Sequence, residues 1–333
     1  MTADLSRWRE IVARYQKPSI NKSVLQLINT LGPLAVLFVV MYFTMRINYL
    51  LTLGLAVVAA GFLIRTFIIM HDCGHGSFFK SRRANDIVGF ITGVLTLTPY
   101  MQWRRDHAIH HATSGHLDER GHGDVTTLTV KEYLQLPWWG RVRYRFYRNA
   151  LVMLIIGPIF LIIKHRLHTP DTAGRREIIG VHATNAAILL LFLATSLLIG
   201  PLKVAAIYLP AMLMAGAAGV WLFYVQHQFE DTYWAPAGQW DYATAAVEGS
   251  SYYRLPRLLE WMTGSIGFHH VHHLSPRIPN YLLRTCHEEN PQFQTVRTLT
   301  MWESVKTFSL KLWDEENNRL ITWKQFRRLV SSA

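Results

Sequence analysis

Four long apolar stretches dominate the chain. Val24–Met45, Leu50–Met70, Ile178–Ile199 and Val204–Val225 each have about the 20 mainly apolar residues that cross a bilayer, and only Arg65 breaks the second. Short connections, Arg46–Tyr49 and Gly200–Lys203, join them in pairs, so they read as two helical hairpins. Four runs of this length argue against the buried core helices of a soluble protein. The first run follows a segment covering residues 1–23, is too long for a signal h-region and has no small-residue cleavage pattern behind it, which predicts a span. Two shorter apolar stretches, Ile87–Trp103 and Asn149–Ile163, read as interfacial or re-entrant segments. Arg141, Arg143, Arg145 and Arg148 precede the second and Lys164 and Arg166 close it, so both of its ends are expected on one side of the membrane. Residues 24–285 then form a membrane domain, and the polar stretch 286–333, with Trp302, Trp313 and Trp323, a helical cap that includes an amphipathic helix.

Composition agrees with an all-α integral membrane protein. Half of the 333 residues are hydrophobic, yet the formal charge is +12. A nucleic-acid binder would also be basic but would not carry such uncharged runs; basic loops around spans explain both facts. The hairpin tips hold only Arg46 and Lys203, so the positive-inside rule puts both termini and all large loops in the cytoplasm. Arg65, near the cytoplasmic end of its span, is placed to snorkel or to meet a lipid headgroup. Cys73 and Cys286 are too far apart in sequence to suggest a disulfide framework.

Sixteen histidines change the picture, because many of them cluster. His71 and His75 directly follow the second span, four residues apart and thus on one helical face. His107, His110 and His111 repeat that geometry at i, i+3 and i+4, as do His269, His272 and His273. A lone histidine at a membrane surface is usually an interfacial polar group. Three clusters at ligand spacing, all just beyond the cytoplasmic ends of spans, are a different matter. Neutral imidazole suits iron, copper, zinc and nickel, and eight such ligands are too many for one ion, so two metals are implied.

The strings HDCGH, HAIHH and HHVHH resemble the three histidine boxes of the membrane fatty-acid desaturases. Their contexts, HDCGHGSFF, HHATSGHLDERGHGD and GFHHVHHLSPRIPNY, are similar to the bacterial acyl-lipid branch, and the likeness extends over roughly residues 30–285. The resemblance implies a fold of four transmembrane helices, interfacial helices and a cytoplasmic helical cap around a di-iron centre, in a bacterial inner membrane. Its implied ligands are His71, His75, His107, His110, His111, His269, His272 and His273. His227, at the end of the fourth span, corresponds to a ninth. The implied reaction uses dioxygen to remove hydrogens from neighbouring carbons of an acyl chain, lipid-linked in this branch, leaving a cis double bond and water.

No GxGxxG follows a predicted strand and no haem-binding motif of a fused cytochrome domain is present, so electrons are expected from a separate donor of the ferredoxin or flavodoxin type. The alternatives are a di-iron hydroxylase or ketolase on the same framework, and, in another class, a histidine-rich metal transporter or sensor. The near absence of ionisable residues inside the spans argues against transport. His270 falls outside the HxxHH frame, and a helix would turn it away from His269 and His273. His116 and His122 read as supporting or solvent-facing, and His165, His168, His182 and His287 as ordinary. Of the carboxylates near the boxes, Asp72, Asp106 and Asp124, the last two are candidates to orient ligating imidazoles. Trp103, Trp221 and Trp261 sit at segment ends where they could shape a substrate tunnel or form an aromatic belt.

Overall fold

The computed structural model describes residues 5, 7–121, 125–170 and 172–332. A short helix, α1 (Trp8–Ala13), leads to the first hairpin, α2 (Ile20–Thr44) and α3 (Tyr49–His75). Next come α4 (Arg82–Leu95), α5 (Tyr100–Thr113), α6 (Val130–Gln135) and α7 (Trp138–Tyr147); a π-helical turn at Val152–Ile156 then enters α8 (Gly157–Leu167). The second hairpin is α9 (Arg175–Ile199) and α10 (Pro201–His227). Beyond it lie the short helices α11 (Tyr242–Glu248), α12 (Arg257–Met262), α13 (His269–Leu274), α14 (Asn280–Glu288), α15 (Met301–Thr307) and α16 (Trp323–Ser332). Two small ladders complete the fold: β1 (Tyr252–Arg254) parallel to β2 (Thr298–Thr300), and β3 (Leu310–Asp314) antiparallel to β4 (Arg319–Thr322).

The four helices of the hairpins are long and apolar enough to cross a membrane, as the hydropathy pattern predicts. Their tips use ordinary turn chemistry. Asn48 caps α3 by accepting from the Leu50 N–H at 2.9 Å. Gly200, at φ 90°, breaks the helix between α9 and α10, and Pro201 restarts it. Helix α3 lies centrally, against α2, α4, α5 and α10. Ala56, Ala59 and Ala60 of α3 and Ala211 and Ala215 of α10 are buried in this contact; small residues let helices approach closely where lipid gives no hydrophobic drive. Val36, Val39, Leu190 and Leu197 on the outer faces are exposed.

Arg65 neither snorkels nor reaches out of the bundle. It is buried, donates Nε–H to Thr30 Oγ1 at 3.1 Å and Nη1–H to the Trp261 carbonyl, and lies 4.0 Å from the Trp261 ring centroid. The arginine thereby fastens α12 to the spans. Of the shorter apolar stretches, the first divides into α4 and α5 around Leu97 at φ 55°. In the second, α7 and the Val152–Leu167 helix meet at a 65° bend, the geometry of a broken span or of a re-entrant loop.

The C-terminal region departs from a purely helical cap. Leu310–Asp314 and Arg319–Thr322 form a hairpin whose Trp313 is fully buried, and the division at residue 285 falls inside α14. Asn318 at φ 48° supplies the turn. This cap is pinned by Arg148, which is fully buried. Its guanidinium donates to Thr127 Oγ1 (3.0 Å), Tyr224 OH (3.2 Å), Gln228 Oε1 (3.1 Å) and the Leu310 carbonyl (3.1 Å). Lys311 Nζ donates back to the Arg148 carbonyl at 2.5 Å. The network joins β3 to the end of α10 on both sides of His227.

Replacing Arg148 with Met removes the donors it gives to Thr127, Tyr224, Gln228 and Leu310, and each buried acceptor left under-satisfied costs about 1–3 kcal/mol. Thermal unfolding in detergent should therefore show a clearly lower melting temperature. An unchanged one would mean that the network contributes nothing to stability.

Candidate metal centre

The first histidine pair rides on the last turn of a span. Gly76, at φ 69°, ends α3 immediately after His75: its N–H binds the Cys73 carbonyl and the Ser77 N–H the Asp72 carbonyl, both at 3.0 Å. This double closure with a left-handed glycine is a Schellman ending. It explains the glycine after the pair and holds His71 and His75 at the mouth of the bundle. His227 occupies the corresponding place on the last turn of α10.

All nine predicted histidines come together, in two groups. His71, His75, His107, His111 and His272 have ligand nitrogens within 4.8 Å of one another, and so do His110, His227 and His273. His269 joins the second group, its Nε2 being 2.9 Å from His227 Nε2. The spacing HxxHH acquires a meaning here. On α5, His107 and His111 face the first group and His110 the second; on α13, His272 faces the first and His269 and His273 the second. Each of these two motifs therefore serves both groups, and the groups touch where His111 stacks on His273 at 4.1 Å.

The residues fit metal ions better than they fit one another. His111 Nε2 lies 3.1 Å from both His107 Nε2 and His272 Nε2. Separations near 3 Å are what two nitrogens about 2.1 Å from one ion span at a right angle. Among the described residues, His75 Nε2 and His273 Nε2 are buried without a hydrogen-bond partner, a costly arrangement unless something accepts their lone pairs. Burial first, then the neighbouring imidazoles, hold His107, His111, His269, His272 and His273 well below the ordinary histidine range. Neutral rings are the form that ligates.

Ring orientation is set from outside. The Asp72 carboxylate faces His71 Nδ1 at 3.2 Å and accepts from the Asn280 N–H at 2.7 Å and its Nδ2–H at 2.9 Å. His227 Nδ1 faces the Gly249 carbonyl at 3.3 Å. Both contacts leave Nε2 for the centre. Asp72, and not Asp106, is thus the orienting carboxylate within reach: Asp106 instead lies 3.7 Å from its neighbour Arg105. Asp124 and His122 lie outside the described residues. His270 turns away from the groups, as helix geometry predicts, and its Nε2 meets His287 Nδ1 at 3.0 Å, so His287 belongs to a buried pair. His116 packs beside Trp240 at 5.6 Å and belongs to neither group, nor do His165, His168 and His182.

Two aromatic rings flank the centre. Trp103 stacks on His107 at 4.4 Å and also contacts His71. A Cβ on Gly74 would fall 2.9 Å from the Trp103 ring, so the glycine inside the first box makes room for it. Phe223, one turn before His227 on α10, lies 5.2 Å from His110 and 5.4 Å from His227; its i, i+4 relation to His227 was the available sequence signal. Trp221 binds Ser304 Oγ and Trp261 packs on Arg65, so among the three expected tryptophans Trp103 is the one in contact with the histidines.

Comparison with known proteins agrees with this arrangement. A family model described as fatty acid desaturase matches residues 47–304. A fatty acid desaturase of Bacillus subtilis (strain 168) is 46% identical over 321 residues, covering 96% of this chain and 91% of that protein. The sn-1 oleoyl-lipid 12-desaturase of Synechocystis sp. is 29% identical over 244 residues, 68% of this chain and 64% of that protein. A chloroplastic sn-2 acyl-lipid omega-3 desaturase (ferredoxin) of Arabidopsis thaliana is 27% identical over 234 residues, with half of its length matched.

Substituting His110 or His272 with Ala should lower bound iron in the purified protein, read by elemental mass spectrometry, and abolish activity. A fully metallated His272→Ala protein would disprove the ligand frame. Asp72→Asn should weaken metal affinity about 10–100-fold, whereas Asp106→Asn should leave it unchanged; equal losses in both would remove the orienting role of Asp72.

Proposed function

The chain belongs to the fatty acid desaturase family, and we propose that it inserts one cis double bond into the acyl chain of a membrane glycerolipid at a di-iron centre held by its nine clustered histidines. One observation carries this reading: two adjoining groups of imidazoles, without a carboxylate among their members, stand at the ends of two membrane-length helices. The overall change is R–CH2–CH2–R′ + O2 + 2 e⁻ + 2 H⁺ → R–CH=CH–R′ + 2 H2O. Iron with dioxygen supplies the oxidising power that no side chain has.

The protein's own work is to hold donors and substrate in register. His71 and His227, oriented through Asp72 and the Gly249 carbonyl, are pre-set to present Nε2. Trp103 and Phe223 offer apolar faces against which a methylene chain can lie beside the imidazoles. Such flanking surfaces position a chain without hydrogen bonds, which a saturated substrate cannot make.

The substrate and donor assignments rest on chemistry and kinship. Relatives named for acyl-lipid substrates, one of them with ferredoxin in its name, support a lipid-linked chain and a soluble carrier of the ferredoxin type. The charge of +12 favours an acidic carrier. The distribution of Lys and Arg supports termini and active site on the cytoplasmic side of a bacterial inner membrane.

Expression in a host with a simple fatty-acid profile should add one cis double bond to existing chains, detected by mass spectrometry with double-bond localisation. An unchanged profile, with iron bound and a competent reduced carrier supplied, would sink the proposal. Hydroxylated chains instead would reassign the centre to oxygen insertion.

A further inference from the structure

Helix α7 has three distinct faces. Gly140, Tyr144 and the following Arg148 recur every fourth residue and are buried; the Tyr144 hydroxyl donates to the Lys311 carbonyl at 2.6 Å and accepts from the Leu128 N–H at 3.0 Å. Trp138, Trp139, Val142 and Phe146 are exposed, Trp138 at 77%. At 100° per residue these four fall in one stripe roughly 100° wide. Arg141 and Arg145 border the stripe on one side and Arg143 on the other. An exposed stripe of this kind between arginines is the profile of a helix lying in the headgroup layer, its aromatic rings among the upper acyl chains. The chain then bends by 65° into the Val152–Leu167 helix, and Leu151, Ile155, Ile159 and Phe160 along this stretch are also exposed.

On the Arg141–Arg145 border, α7 and α6 enclose a groove of ≈ 500 Å³ that includes Tyr133, Trp138 and Val142 in its lining. Among the described residues no carboxylate lines it. Both guanidiniums are aimed by neutral groups. Arg141 donates to the Leu136 carbonyl at 3.0 Å and the Leu134 carbonyl at 2.6 Å. Arg145 donates to Tyr133 OH at 2.8 Å and lies 4.9 Å from the Trp323 ring centroid. Neither forms an ion pair among the described residues. Two fixed forks with N–H groups to spare, beside an apolar stripe, match a phosphodiester carrying acyl chains.

We infer that this groove binds the headgroup of an anionic glycerophospholipid such as phosphatidylglycerol, with Arg141 and Arg145 on the phosphate and the stripe of Trp138, Val142 and Phe146 along the acyl chains. A zwitterionic lipid would bring a second cation to two guanidiniums that already outnumber one phosphate. An acidic protein would match the arginines but would have to cover the projecting tryptophans.

The test uses the full-length protein in detergent, titrated with phosphatidylglycerol or phosphatidylcholine and observed by native mass spectrometry. Phosphatidylglycerol should bind about tenfold more tightly, and R141Q/R145Q should remove that preference; R143Q, on the opposite border, should keep most of it. Arg141 and Arg145 also brace α6, so unaltered protein should in addition be labelled with photoreactive phosphatidylglycerol. The label should fall within residues 133–146. Equal binding of both lipids, an unaffected double variant, or labelling confined to other segments would overturn the assignment, as would an acidic carrier protein occupying the groove in place of phosphatidylglycerol.

Discussion

Nine imidazole rings standing 4.1 to about 6 Å apart repel one another as soon as protons are added, and the surrounding structure follows from keeping the cluster dry, neutral and aimed inward. Burial does the first two for His107 and His111 of α5 and for the rings of α13. Aiming needs partners behind the rings, and these come from distant chain segments: Asp72 with Asn280 for the first box, Gly249 for the last turn of α10. The spans in turn serve the cluster. Two of them end on a ligand, and the closures at Gly76 and Gln228 fix how far each ligand projects.

The same division separates what the sequence displays from what it hides. Apolar runs and 3.6-residue periodicity are local, so the hairpins, the histidine frame and the outward turn of His270 could all be read along the chain. Through-space choices could not. Asp106 and Asp72 look alike beside a histidine, and only the arrival of Asn280 from far along the chain distinguishes them. His287 looks solitary until α14 folds it onto His270. The hairpin of residues 310–322 was obscured because its strands are short and its turn lacks glycine, although Asn317–Asn318 is a turn signal in retrospect.

Two buried arginines show how a positive charge is handled where carboxylates are scarce. Arg65 is met by a hydroxyl, a carbonyl and an indole face, and Arg148 by two hydroxyls, an amide oxygen and a carbonyl. Each thereby joins a membrane-length helix to a segment outside it, α12 in one case and the C-terminal hairpin in the other. Charge enters these contacts as directed hydrogen bonding to dipoles, with no carboxylate among the partners of either guanidinium in the described residues.

The bridge from Asp72 to Asn280 closes a loop of 208 residues, which bears on how the protein is made. A chain synthesised from its N-terminus has sent both hairpins toward the bilayer before Asn280, or any histidine of α13, leaves the ribosome. The complete donor set therefore does not exist during insertion. Any metal these histidines hold would therefore be loaded late, onto spans already inserted.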